Sequence, residues 1–137
     1  MSLNTEQAKA FFAACDTGQG WDACRSYCAP GATFSAQTDV LTGITTLQQY
    51  TEWMRDLLKV LTDGNYEVKS FATDEERNNV CVYATFSGTH LEGGPVSPTG
   101  RATKTDYVYI MQFSNGKVTH LTKIWNSGHA LKELGWA

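Results

Sequence analysis

Three side chains in this 137-residue chain put a proton-handling or oxygen-orienting group beside apolar neighbours. His90 closes Ser87-Gly88-Thr89-His90 at the end of an alternating run, and counting every second residue places it on one face with Phe86, Ala84 and Val82. An imidazole there can act as general acid or base, or donate to a ligand oxygen. The plainer alternative is a ring bonded to a neighbouring carbonyl. Asp106 shares a face with Val108 and Ile110. A carboxylate on an apolar face has a raised pKa and can serve as a base, whereas a place near the strand's start leaves it solvated and paired with Lys104 or Lys123. Asn126, beside Trp125, can orient a carbonyl or enolate oxygen but cannot take a proton. His120 and His129 read as structural or exposed. Of the aromatic residues, Tyr50, Trp53, Phe86 and Trp125 are the candidates for binding a ligand, while Trp21, Tyr83, Tyr107 and Tyr109 serve mainly packing or a subunit contact.

Other chemistries find little support. There is no nucleophile elbow, Walker loop or dinucleotide fingerprint, and Gly93, Gly94 and Gly100 lie in a Pro-containing hairpin loop that leads into no helix able to receive a phosphate. The net charge of -3, with no basic run, argues against nucleic acid, whose phosphates need clustered Lys and Arg. No stretch approaches the roughly 20 apolar residues of a transmembrane helix, and Met1–Gln7 lacks the pattern of a signal peptide. The expectation is a cytoplasmic protein without membrane attachment. Cys15, Cys24, Cys28 and Cys81 then read as reduced, buried thiols. Cys24 and Cys28 stand four apart on an expected helix, but no Cys-x-x-Cys and no His pair completes a zinc set, so no metal is expected.

The elements that would hold these residues follow from periodicity. Asn4-x-x-Gln7 has capping-box spacing before the stripe Ala8, Phe11, Phe12, Cys15, and Asp16–Gly20 breaks that helix. A short helix is expected over 21–27 and a strand over 32–37. Thr46-x-x-Gln49 opens the strongest helix, with Leu47, Tyr50, Met54, Leu57, Leu58 and Leu61 at helical spacing and Gly64 as a left-handed cap. Strands follow over 66–72, 79–91, 102–113 and 117–126, then a short tail containing Ala130–Trp136. Strands joined by short polar turns favour an antiparallel meander, with the helices on one face. The fold class is α+β in a single domain, 1–137, with a pocket between sheet and helices.

Gly88-Thr89-His90, Pro98-Thr99-Gly100-Arg101, Asn115-Gly116-Lys117-Val118 and Leu131–Gly135 together resemble the SnoaL-like polyketide cyclase branch of the nuclear transport factor 2-like superfamily. Phe11-Phe12, Ala29–Phe34 and the Leu47–Leu61 helix fit more loosely. The resemblance implies a cone-shaped, strongly curved antiparallel sheet wrapped around the helices, a mostly apolar pocket and a homodimer through the sheet. It implies ring closure by an intramolecular aldol reaction on a small apolar molecule, with no cofactor and no metal. It also implies that the His of Gly-x-His, here His90, faces the pocket, and that the principal acid/base Asp falls at the position of Asn126. An amide there leaves the proton work to His90 or Asp106, with Asn126 holding the oxygen. Otherwise the protein is a non-catalytic binding or dimerisation module of the same fold, which fold alone cannot distinguish.

Overall fold

The computed structural model describes residues 3–137. Its elements are α1 (Leu3–Asp16), α2 (Trp21–Cys24), a 3-10 turn (Arg25–Tyr27), β1 (Cys28–Ala36), a second 3-10 turn (Asp39–Leu41), α3 (Leu47–Val60), β2 (Asn65–Asp74), β3 (Asn79–Thr89), β4 (Ala102–Ser114), β5 (Lys117–Trp125) and α4 (Ser127–Leu134).

Helix α3 starts where its local chemistry dictates. Thr46 Oγ1 accepts from the Gln49 N–H at 3.2 Å, and Gln49 Oε1 accepts from the Thr46 N–H at 3.1 Å. This closed capping box satisfies two otherwise orphaned donors and contributes about 1 kcal/mol. Leu47, Tyr50 and Met54 are buried on one side, while Arg55, Asp56 and Lys59 stay in solvent. The helix ends at Leu61, whose N–H bonds Leu57 O, and Gly64 is not a left-handed cap. Gly64 is needed for closeness instead: a Cβ there would lie 2.3 Å from Leu58 Cδ2 and 2.9 Å from Leu61 O. Two other boundaries also differ from expectation. Asn4 lies inside α1, which is already helical at Leu3, and Cys28 opens β1 rather than sharing a helix with Cys24. The two residues still meet, with Cys28 Sγ 3.6 Å from Cys24 O. Cys15, Cys24 and Cys28 are buried free thiols, and Cys81 is half-buried.

The sheet order is β1-β5-β4-β3-β2. Strands β2 to β5 form the expected antiparallel meander. The β4–β5 turn uses Asn115 and Gly116, both at positive φ (51° and 74°), the conformation a tight two-residue hairpin requires. The edge strand β1 departs from the meander and pairs parallel with β5. No hairpin constrains β1, because α3 and three strands intervene, so it can lie alongside the last strand in the same direction. The five strands make a curved, unclosed sheet around the helices. Its inner face presents Val82, Ala84 and Phe86 from β3 and Tyr107, Tyr109 and Met111 from β4, all buried, to Phe11 and Phe12 of α1 and to Tyr50 and Met54 of α3.

Helix α4 ends in a Schellman-type turn. Gly135 is left-handed (φ 78°), its N–H bonds Lys132 O at 3.2 Å, and the Trp136 N–H bonds Leu131 O at 2.8 Å. That turn throws Trp136 back across the end of β3, which decides the surroundings of His90.

Candidate functional site

His90 is fully buried and continues the alternation of Val82, Ala84 and Phe86. Both of its nitrogens are occupied by the chain. Nε2 donates to Gly93 O at 2.5 Å, while Nδ1 accepts from the Thr99 N–H at 3.2 Å and from the Trp136 indole N–H at 2.9 Å. Because the partners of Nδ1 are donors and the partner of Nε2 is a carbonyl, the ring carries its proton on Nε2. The imidazole ties the 91–101 loop and the C-terminal tail to β3.

Asn126 begins α4, where its Oδ1 accepts from the His129 N–H at 3.1 Å, an N-cap interaction. Asp106 is exposed on the outer face of the sheet and accepts from Thr85 Oγ1 at 3.0 Å. Its expected partner Lys123 projects to the opposite face. Asn126 and Asp106 both line an open outer groove of about 860 Å³ together with Val108, Thr122 and Ile124. His90 is not part of that groove, so His90 and Asn126 do not share a cavity.

The structure gathers the four aromatic candidates around a different centre. Lys123 is directly opposite Tyr109 in the β4–β5 register, and Trp125 is opposite Tyr107. Opposed residues share a face, so Lys123 points inward and is only 6% exposed. Its Nζ donates to Tyr50 Oη at 2.9 Å and stands 4.2 Å from the Trp125 ring centroid and 5.4 Å from that of Trp53. Tyr50 stacks between Phe34 and Trp53, at 4.3 Å and 5.9 Å between centroids. At the end of α1, Asp16 is 2% exposed and accepts from Tyr107 Oη at 2.5 Å on Oδ2 and from Tyr109 Oη at 2.8 Å on Oδ1. The hydroxyls of Tyr50 and Tyr109 are in hydrogen-bond contact.

Donor rules give this network a direction. An ammonium only donates, so the Tyr50 proton is free for Tyr109, whose own proton goes to Asp16. The result is a continuous relay, Lys123 to Tyr50 to Tyr109 to Asp16, with Tyr107 as a second donor to the carboxylate. Burial acts on both ends. It lowers the Lys123 pKa to about 8, with the negative charge of Asp16 opposing the shift. It raises the Asp16 pKa, with the Tyr107 hydrogen bond and the Lys123 charge opposing. Burial, reinforced by the Asp16 charge, also holds the hydroxyls of Tyr50, Tyr107 and Tyr109 protonated well beyond the ordinary phenol range.

Three neighbouring cavities lead outward from the relay. A surface basin of about 360 Å³ lies between Val40, Trp53, Leu57, Val60, Pro95 and Trp136. It shares Val40, Trp53, Leu57, Leu131 and Trp136 with a throat of about 40 Å³. The throat shares Leu57, Phe86, Thr105 and Trp125 with an inner cavity of about 20 Å³ bordered by Lys123, Asp16, Tyr107 and Tyr109. The inner cavity has room for about one water. Trp53 and Trp125, edge-to-face at 6.1 Å, fill the space a larger guest would take.

Asp16 and Lys123 were not among the sequence candidates, and Tyr107 and Tyr109 were expected only to line or pack. Asp16 looked like a helix breaker and Lys123 like a surface cation. A signal for Lys123 was present in Leu121-x-Lys123-x-Trp125, an alternation that puts the lysine with two apolar side chains and away from exposed Ile124. Nothing local marks Asp16, whose burial depends on β4 lying across the end of α1.

The sequence pattern of the SnoaL-like domain matches residues 8–121, and the chain belongs to that family. Among solved structures, a candidate SnoaL-like polyketide cyclase from Jannaschia Sp. CCS1 superposes with a TM-score of 0.78 at 18% identity, over 98% of this chain and 93% of that one. AclR, a candidate hydroxylase from Streptomyces galilaeus, gives 0.77 at 22% identity, over 98% and 85%. TerC, crystallised with polyporic acid, gives 0.74 at 17% identity, over 98% and 99%. At these identities the likeness establishes the fold. No curated protein sequence matches the chain. Among the described residues no helix is long and apolar enough to cross a membrane.

Proposed function

We propose that this protein is a cofactor-independent enzyme that isomerises or cyclises a small apolar carbonyl compound by proton transfer beside Lys123, the compound displacing Trp53 and Trp125 to enter the inner cavity, with Lys123 rather than His90 handling the proton. The observation that carries this reading is the buried Lys123 beside the inner cavity, joined to buried Asp16 through two tyrosine hydroxyls. A carbonyl oxygen near Nζ would be polarised by the ammonium, which strengthens as negative charge develops on an enolate. The relay can return a proton to Lys123 or remove one without solvent. Trp53, Phe86 and Trp125 would pack the apolar body of the substrate, as expected of them from sequence, and Tyr50 would work through Lys123. The co-crystal of TerC with polyporic acid supports a small-molecule ligand for this fold.

The experiment is exchange of α-protons of small apolar ketones in deuterated water, followed by proton NMR. Exchange above the buffer rate, lost in Lys123→Met, is the expected outcome, and no exchange with any tightly binding ketone refutes the reading. The small inner cavity and the capping role of Asn126 favour a second reading, a binding or assembly module that holds a ligand without turnover. A homodimer through the sheet belongs to either reading. The outer groove flanked by Val108 and by Ile124, which is 58% exposed, is the surface for it.

A further inference from the structure

Lys123 has the surroundings of a nucleophile as well as of an acid. Lys123 borders the inner cavity, and among the described residues the one oxygen partner of its Nζ is Tyr50 Oη; the ring centroids of Trp125, Trp53 and Tyr107 stand 4.2, 5.4 and 5.5 Å from Nζ. An amine attacks a carbonyl only when neutral, and the relay supplies that form without solvent. One proton moves from Lys123 to Tyr50, one from Tyr50 to Tyr109 and one from Tyr109 to Asp16. The pair then stands as amine and carboxylic acid, the forms that burial favours at both ends. By contrast, Lys9, Lys59, Lys69, Lys104, Lys117 and Lys132 are all exposed to solvent.

We propose that Lys123 condenses through Nζ with the carbonyl carbon of a small apolar aldehyde or ketone that enters the inner cavity by displacing the Trp53 and Trp125 side chains, forming a Schiff base. This rests on the reading of the inner cavity as a carbonyl-compound site. The neutral amine forms the C–N bond as the C=O π pair moves to oxygen. That oxygen takes a proton from the attacking nitrogen, with Tyr50 Oη placed to pass it, and a neutral carbinolamine results. The proton stored on Asp16 returns through Tyr109 and Tyr50 to the carbinolamine hydroxyl, which leaves as water while the nitrogen lone pair forms the C=N bond. The products are an iminium cation, the Asp16 carboxylate and one water, so charge matches the starting ammonium–carboxylate pair. The Trp125 and Trp53 ring faces that now surround the ammonium would face the iminium. The iminium is a stronger electron sink than the parent carbonyl, which suits loss of an α-proton or cleavage of an adjacent C–C bond.

The test uses the intact wild-type protein at about pH 7, incubated with benzaldehyde or cyclohexanone and cyanoborohydride, then mapped by peptide mass spectrometry. Benzyl alcohol and cyclohexanol serve as controls that cannot form an imine. The expected result is a reductively trapped adduct on Lys123 at roughly ten times or more the level on any exposed lysine, absent without reductant. Tyr50→Phe, which breaks the relay while keeping the ring, should slow trapping at Lys123 by about tenfold. Tryptophan quenching by the same ketone and α-proton exchange are measured in parallel. Binding or exchange with no Lys123 adduct overturns the Schiff base and leaves the proton-transfer reading standing. An adduct spread evenly over exposed lysines also overturns it. If these probes neither quench, exchange nor trap, both readings fall.

Discussion

Trp136 donates its indole N–H to His90 Nδ1 at 2.9 Å, with the two rings edge-to-face at 5.0 Å, so the penultimate residue of the chain is fastened to the end of a strand 46 positions earlier. The same imidazole reaches Gly93 and Thr99 across the loop. His90 therefore holds three separate segments together.

Replacing His90 by Ala should remove about 2–4 kcal/mol of stability, from the cavity and from polar groups left without partners. Hydrogen exchange should speed up in the 91–101 loop and in α4 before it does in β4. A His90→Ala protein that is fully stable, with an unaltered loop, would contradict this role. A stable variant that has lost turnover would restore His90 as the acid/base.

Asp16→Ala leaves the hydroxyls of Tyr107 and Tyr109 without their acceptor inside the core. The expected loss is about 2–5 kcal/mol by urea denaturation. Asp16→Asn keeps one acceptor oxygen and should lose less.

Stability should depend on pH through Lys123. Its folded pKa, about 8, lies below the ordinary 10.5, so between these values the unfolded chain binds more protons and stability rises with pH. The burial penalty is fully present below about pH 8 and is relieved toward 10.5, a span of about 3 kcal/mol. Above about pH 10 the buried tyrosines gain by unfolding, since only the unfolded chain ionises them, and the rise turns over. Asp16, with its pKa raised, acts in the acid range with the opposite slope: its contribution is present below pH 3.8 and lost as pH climbs through its folded value. In Lys123→Met the increase between about pH 8 and pH 10 should vanish. Its persistence would mean that another group causes it.

Asn126→Asp restores the carboxylate that the family resemblance placed at this position. Asp caps a helix as well as Asn and favours the positive end of the helix dipole, so stability should hold or rise by about 0.5 kcal/mol. Asn126→Ala should cost about 1 kcal/mol. Turnover should not change in Asn126→Asp, because the Asn126 side chain caps α4 and forms none of the hydrogen bonds of the relay. A large gain in rate would move the chemistry to the outer groove.

Ile124→Glu tests the sheet-mediated dimer. Sedimentation velocity should show the wild type as a dimer and the variant shifted toward monomer, since a new carboxylate beside Asp106 would oppose the packing of two such sheets. A monomeric wild type refutes the dimer outright.

The fold was legible because its signals are local and repeated: the Thr46–Gln49 box, the Asn115-Gly116 turn, and strand alternation from Val80 to Phe113. The parallel edge strand was not legible, since β1 and β5 share no turn. The candidate site was half legible. Tyr50, Trp53, Phe86 and Trp125 do surround one centre, but the alternation that put His90 inside could not show that a glycine-capped helix would return Trp136 to its Nδ1. Asp106 shares a face with Val108 and Ile110 as expected, but periodicity does not say which face is the core. Asp16 became a buried acid only through contacts with Tyr107 and Tyr109, more than 90 positions away.

The parallel pairing of β1 with β5 also sets a timetable for synthesis. Residues 28–36 leave the ribosome roughly eighty positions ahead of the strand they must lie beside, which is several seconds of translation. Asp16 emerges earlier still, more than a hundred positions ahead of Lys123. A nascent chain can therefore shape α1 and α3 early, but it cannot bury Asp16 in the network with Lys123 until β5 has emerged. Ribosome-stalled chains that end before β5 should expose Asp16 and the edges of β1, and should depend on chaperones until release.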